Sequence, residues 1–366
     1  MTFRCRNVLV LAAALVAESS IASPPNQTAL VPASDQAAGI ASLWMAMLVG
    51  GCLIFVAVML ILALGLWRAR RQEHRLSHLA SRNLVIAAGV AVPLAVLIAL
   101  VAGSLFLGNN ISSRPPDGAL HIEVIGWRWW WEIRYRDSQG ELIATTANEI
   151  HVPVDRPVRL SLTSEDVIHS FWVPNLHGKT DLVPGQTNSS WFTARRAGTF
   201  HGQCAEFCGT QHALMGFRVI AQSAAEFETW LAQQAQPARR ADSPMLRRGR
   251  EAFVSAGCAS CHVIRGVTPP ALANAVKTDS KNPLSADVRS LSKARTAARD
   301  KPVPAPDLTH FGSRLTLAAG TRPNTAGHIG GWISDPQGIK PGVLMPPTML
   351  EPGELTALIG YLQSLR

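Results

Sequence analysis

No charged residue interrupts the chain from Leu43 to Trp67, and none interrupts it from Leu84 to Leu107. These stretches of 25 and 24 residues exceed the ~20 that an α-helix needs to cross a bilayer. Both are read as membrane spans. Acid is nearly absent between them: Arg68, Arg70, Arg71, Arg75 and Arg82 stand against the single carboxylate of Glu73. By the positive-inside rule this loop is cytoplasmic, and both ends of the hairpin face outward. The chain has only six cysteines, and their positions do not read as disulfides. Its 11 histidines form no His-rich cluster, and no internal repeat is present.

A length of 366 residues leaves room for two or three domains. Hydrophobic residues make up 47% of the chain, unevenly spread. Arg4 and Arg6, an apolar stretch Val8 to Ala17 and the small residues Ser20-Ile21-Ala22-Ser23 form a secretory signal pattern over 1–23. A short first membrane anchor is the alternative. Cys5 lies within this segment, and Cys52 lies within the first span, where it reads as a packing residue. From Pro237 onward, 17 Lys and Arg against nine Asp and Glu account for eight of the nine net positive charges. The excess is therefore local and is not a nucleic-acid signal. An acidic docking surface, anionic lipid or plain solvation would each suit it.

After a short linker, 109–118, the pattern changes. Runs such as His121-Ile-Glu-Val-Ile, Val158-Arg-Leu-Ser-Leu-Thr and Gly216-Phe-Arg-Val-Ile, broken by Gly, Pro and Asp, predict an antiparallel sandwich or barrel up to about Ser223. Ala225 to Gln234 predicts a closing helix, and 237–244 a linker. Met245 to Ala256, Thr325 to Ser334 and Glu351 to Leu365 predict helices of a last domain, 245–366.

Two motifs carry chemistry. The first is Cys204-x-Glu206-x-Cys208-x-x-x-His212-x-x-Met215, with His169 upstream in a strand-like segment. Two thiolates four apart can each bridge two metal ions. Soft sulfur with imidazole selects copper, and a weak thioether tunes a copper potential. Zinc would suit two Cys and two His but would leave Met215 and the Glu206 spacing unexplained. The second is Cys258-x-x-Cys261-His262, the pattern of covalent c-type haem attachment. Met345 in a Gly-x-x-Met-Pro setting is the candidate opposite ligand, with Met349, His310 and His328 as rivals. His/Met ligation makes a high-potential carrier. Pro306 would orient the proximal imidazole through its carbonyl; Pro270 is the alternative.

Together these segments resemble cytochrome c oxidase subunit II with a class I cytochrome c fused to its C-terminus, as in caa-type terminal oxidases. The resemblance implies a transmembrane hairpin (40–108), a cupredoxin-like Greek-key β domain (118–236) and an all-α cytochrome domain. The stretch 268–304 resembles an insertion into the last. By the resemblance, Cys204 and Cys208 bridge the two coppers of a CuA centre. His169 and Met215 then serve one copper, and His212 with the Glu206 carbonyl the other. The Glu206 carboxylate would reach a magnesium shared with subunit I. Trp129, in Trp127-Arg-Trp129-Trp130-Trp131, matches the residue through which electrons reach copper; alternation puts Trp127, Trp129 and Trp131 on one strand face, so packing competes.

The implied function is electron input to a proton-pumping oxidase in a bacterial inner membrane, with the copper and cytochrome domains in the periplasm. Its partners would be subunit I, carrying haem a and CuB, the other oxidase subunits and an electron-donor cytochrome or respiratory complex. One departure concerns protons. Family members often carry a Glu near the start of the second span; Ile86 stands there, with no carboxylate between Glu73 and Pro93. A nitrous-oxide-reductase-like protein would need a separate His-rich domain, and a copper-delivery protein would need neither Met215 nor a haem domain. Quinol oxidase subunits II lack the copper ligands.

Overall fold

A computed structural model describes residues 27–71, 78–268 and 305–366. The signal segment 1–23, Cys5, Pro270 and the insertion beyond Thr268 lie outside the described residues. Helix α1 runs Asp35–Arg70 and so begins well before the uncharged run. Ser34 caps it by accepting from the Ala37 N–H, and Asp35 pairs with Arg195 at 2.7 Å. At 1.5 Å per residue α1 is about 54 Å long, so its first turns stand clear of the ~30 Å hydrocarbon layer and rest on the β domain. Its partner begins as α2 (His78–Ile86), passes one π-helical turn (Ala87–Ala91) and continues as α3 (Val92–Ile111). The π turn sits where Pro93 has no N–H to return to Gly89, which opens the helical ladder. Cys52, expected to pack within the span, is exposed on α1, because no other described element covers that face.

The β domain is two five-stranded sheets. One has the order β3-β2-β1-β5-β8, built from β1 (Leu120–Trp127), β2 (Trp130–Arg136), β3 (Leu142–Ala147), β5 (Pro157–Ser164) and β8 (Asn188–Thr193). The other has the order β4-β10-β9-β6-β7, from β4 (Glu149–Pro153), β6 (His169–Trp172), β7 (Thr180–Leu182), β9 (Gly198–Cys204) and β10 (Gly216–Gln222). Their inner faces bury Trp131, Tyr135, Phe171, Phe200 and Phe217 in one core. The pairing is not purely antiparallel as expected: β1–β5 and β4–β10 are parallel. Intervening strands carry the chain away and back, and alternation alone reads the same for either direction. Helix α4 (Ala224–Gln234) closes the domain behind a capping box of Ser223 and Glu226.

The tryptophan cluster also differs from expectation. Trp127 ends β1 and Trp130 begins β2, opposite each other across a hairpin whose loop is Arg128-Trp129. The two indoles stack with centroids 6.1 Å apart, Trp131 points into the core, and Trp129 is left at the hairpin tip.

The last domain is helical: α5 (Pro244–Ser255), α6 (Ala326–Ser334), α7 (Pro336–Ile339) and α8 (Pro352–Ser364), with a small β11 (Thr316–Leu317) and β12 (Arg322–Pro323) ribbon. Helices α5 and α8 cross at Gly249, where an added Cβ would lie 2.1 Å from the Ala357 carbonyl oxygen. The two sides of the insertion meet: Arg265 N–H donates to Thr309 Oγ1 at 3.0 Å, and Leu308 N–H to the Val263 carbonyl at 2.8 Å. The linker is pinned rather than loose. Ala238 and Ala241 pack on the helical core, and Ala238 N–H bonds to the Arg265 carbonyl at 3.0 Å.

Candidate metal and haem centres

The copper-type ligands converge because β6, β9 and β10 end together. Phe171 of β6 pairs with Cys204 of β9, which places His169 beside the thiol, with Nδ1 3.8 Å from Cys204 Sγ. The loop then turns back so that Cys204 N–H meets the Met215 carbonyl at 3.0 Å. Cys204 and Cys208 are free thiols with sulfurs 3.8 Å apart, far beyond the ~2.05 Å of a disulfide. Around them stand His212 Nδ1 (3.7 Å from Cys208 Sγ), the fully buried Met215 Sδ (3.8 Å from the same sulfur) and the Glu206 carbonyl (3.1 Å from Cys204 Sγ). The Glu206 carboxylate faces solvent.

A hydrogen bond from Cys208 lowers the Cys204 thiol, and donating that bond, together with burial, raises Cys208. Two soft sulfurs beside two imidazoles make a site that suits a cation. Two groups outside the motif shape it. Asp166 Oδ1 bonds His169 Nε2 at 2.9 Å, which leaves Nδ1 to face the sulfurs. Burial pushes the Asp166 carboxyl up, but hydrogen bonds from His169 and from the Val167 and Arg128 amides outweigh it and hold it low. Gly126 provides space, since a Cβ there would come within 2.7 Å of the His169 ring.

The haem motif sits just past α5, in a short 3₁₀ turn Cys258–Ser260 entered through Gly257 at φ +77°. His262 Nδ1–H donates to the Pro306 carbonyl at 2.8 Å, so Nε2 is the nitrogen left for a metal. Cys258, Cys261, His262, Trp332 and Met345 line one cavity of about 270 Å³. Among the rivals to Met345, Met349 is 88% exposed, His310 bonds the Gln236 carbonyl, and His328 bonds Thr325; none of them lines the cavity.

The same cavity is walled on one side by Arg128, Trp129 and Trp130 of the β domain. Trp129 therefore has two neighbourhoods. Its ring edge rests on Gly209 of the ligand loop (φ +115°), and its indole N–H donates to the Cys208 carbonyl at 2.9 Å.

Residues 140–222 match the family model for the periplasmic domain of cytochrome c oxidase subunit II, and residues 246–366 match that for cytochrome c. Cytochrome c oxidase subunit 2 of Alkalihalophilus pseudofirmus is 32% identical over 282 residues, covering 75% of this chain and 71% of that protein. The chain belongs to the cytochrome c oxidase subunit II family. The Bacillus subtilis cytochrome c oxidase subunit 2 is likewise 32% identical, over 75% of this chain and 72% of that one. Among solved structures, the periplasmic domain of subunit II of cytochrome oxidase from Bradyrhizobium japonicum is 32% identical; it covers 32% of this chain and 95% of that one, with a TM-score of 0.31.

As a subunit II, the chain is a membrane component of a cytochrome c oxidase, an oxidoreductase, with periplasmic domains and oxidase subunits as partners. Its two families imply copper and haem c, and the residues present fit both. Paired free thiols, two imidazoles and an inward thioether are a copper donor set. In the haem cavity, Cys258 and Cys261 are free. Arg314 is half-buried there, its buried Nε lacking a partner, a cation suited to the carboxylates that haem carries.

Sequence reasoning missed Asp166, Gln211, Arg314 and Lys340. A carboxylate three residues before His169 was a readable signal for the first. Gln211 and Lys340 act across the domain boundary, and Arg314 comes to the haem motif from the far side of the insertion; no local pattern marks either.

Proposed function

We propose that this chain is the electron-input subunit of a proton-pumping aa-type terminal oxidase, passing electrons from a cytochrome c domain to a dicopper CuA centre and on to haem a in subunit I, where oxygen becomes water. Bound haem and copper would supply the one-electron chemistry; the protein holds and orients them. Cys258, Cys261, His262 and Met345 would hold the haem, with the His262 ring fixed by the Pro306 carbonyl so that Nε2 is left for the iron. Cys204, Cys208, His169, Met215, His212 and the Glu206 carbonyl would together hold the copper. The exposed Glu206 carboxylate is free to reach a magnesium at the subunit I boundary. The membrane would be the bacterial inner membrane, and the proton-uptake carboxylate absent at Ile86 would come from another chain.

The carrying observation is Trp129, which walls the haem cavity and is hydrogen-bonded to Cys208 at 2.9 Å. Optical and EPR spectra of the purified full-length chain test the reading. A low-spin c-type haem together with a mixed-valence dicopper signal is expected; one tightly bound zinc in place of copper overturns it.

A further inference from the structure

We propose that Lys340 and Gln211 are positioning residues, a reciprocal clasp that fixes the haem cavity against Trp129; this rests on the electron-input reading above. Lys340 belongs to the cytochrome domain and is only 2% exposed, yet its Nζ donates to the Trp129 carbonyl of the β domain at 3.0 Å. Gln211 belongs to the copper loop, between Cys208 and His212, and is 1% exposed. Its Nε2 donates back to the Lys340 and Pro341 carbonyls, at 3.1 and 3.0 Å. Each domain thus grips the other's backbone with a buried side chain. A buried amine donor is costly unless an acceptor meets it, so the bond to the Trp129 carbonyl fixes where the Lys340 head sits.

Trp129 is consequently held at two points: its carbonyl by the cytochrome domain and its indole N–H by Cys208 of the copper loop. Lys340 lies five residues before Met345 on the same loop, and both line the cavity. Between them Gly342, at φ +86°, lets the loop turn close to Thr210. The clasp therefore sets the cavity, Trp129 and the ligand loop in one register. It is distinct from the rest of the interface, where Glu149 accepts from the Leu315 and Thr316 amides at 2.7 and 3.0 Å, and Gly216 N–H meets the Ala319 carbonyl at 3.0 Å. Those contacts hold the domains together without Lys340. In the step served, one electron leaves the cytochrome domain, which is oxidised, and enters the copper loop, which is reduced; no bond forms or breaks.

The test uses the full-length, metal-loaded chain and reads three quantities: haem reduction by an external donor, haem-to-copper transfer after flash reduction, and hydrogen exchange at the Leu315 and Thr316 amides. Lys340→Met should keep the protection at Leu315 and Thr316 while slowing transfer, relative to haem reduction in the same variant, about tenfold or more, as small misplacements can. Lys340→Arg, which keeps a donor head, should recover most of that loss. Gln211→Leu, with the copper spectrum as control, should slow transfer similarly if Lys340→Met fails to fold. Unchanged transfer in a folded variant overturns the clasp. So does slower transfer matched by lost protection at Leu315 and Thr316, which would make Lys340 a plain interface contact. Absence of haem-to-copper transfer in the wild type would instead sink the electron-input reading itself.

Discussion

The indole of Trp129 and the carbonyl of Cys208 meet in a hydrogen bond of 2.9 Å, made between the tip of the β1–β2 hairpin and the ligand loop. Trp130 next to it also borders the cavity but stacks on Trp127 at 6.1 Å. Trp129→Phe removes the N–H donor and should slow haem-to-copper transfer strongly while both metal centres persist. Trp130→Phe keeps a ring in the stack and should do much less. Flash-reduction kinetics separate the two, and equal, small effects would make the patch a packing feature.

His169 reaches the sulfurs with Nδ1 because Asp166 occupies Nε2 at 2.9 Å. Removing that carboxylate frees the ring to change tautomer and to swing. Asp166→Ala should lower copper affinity by about 10–100-fold, the usual cost of losing such a partner. Chelator competition on the copper-loaded chain measures it; unchanged affinity would show that packing against Trp131, 6.0 Å away, is enough to orient the imidazole.

Met345 is the thioether that lines the haem cavity, whereas Met349 stands 88% exposed outside it. Met345→His should retain covalent haem through Cys258 and Cys261 but lower the reduction potential, because imidazole replaces a thioether. Redox titration with optical readout is decisive. If potential and spectrum stay put while Met349→Ala moves them, the ligand is Met349 and the loop rearranges around the haem.

The ligand loop was legible because five of its donors lie within twelve consecutive residues, 204–215. The spans were legible because uncharged length is a property of composition alone. Three features were not. Helix α1 starts at Asp35 because of the Ser34 cap and Arg195, a partner 160 positions away. The parallel pairing of β1 with β5 leaves no trace in alternation. The tryptophan run read as one strand because its period fitted, while the chain reverses at Arg128-Trp129 and brings Gly126 opposite Trp131. Asp166 was readable from its spacing to His169, whereas Gln211 and Lys340 work through contacts between separate domains, of which sequence spacing carries no record.

Glu149 gives the interface a pH dependence whose sign can be worked out. The carboxylate is 2% exposed, and burial pushes it up to about 7, against the pull of Thr316, Arg314 and Leu315. With the folded value above the ordinary one, the proton is held more tightly in the folded protein. The associated stability is fully present below the ordinary carboxylate range and is lost as pH rises through about 7. Other groups titrate in this window, so the informative quantity is the difference from Glu149→Gln, which keeps an acceptor and cannot ionise. Thermal unfolding of the full-length chain, followed by haem absorbance, should give similar midpoints for the two near pH 5, with the wild type falling below the variant by about pH 8. The competing force is visible in the structure: Oε1 alone takes the Leu315 and Thr316 amides and the Thr316 hydroxyl, at 2.7, 3.0 and 3.3 Å. If those three donors outweigh burial, the wild type will instead gain on the variant as pH rises, and the carboxylate is charged in the docked protein.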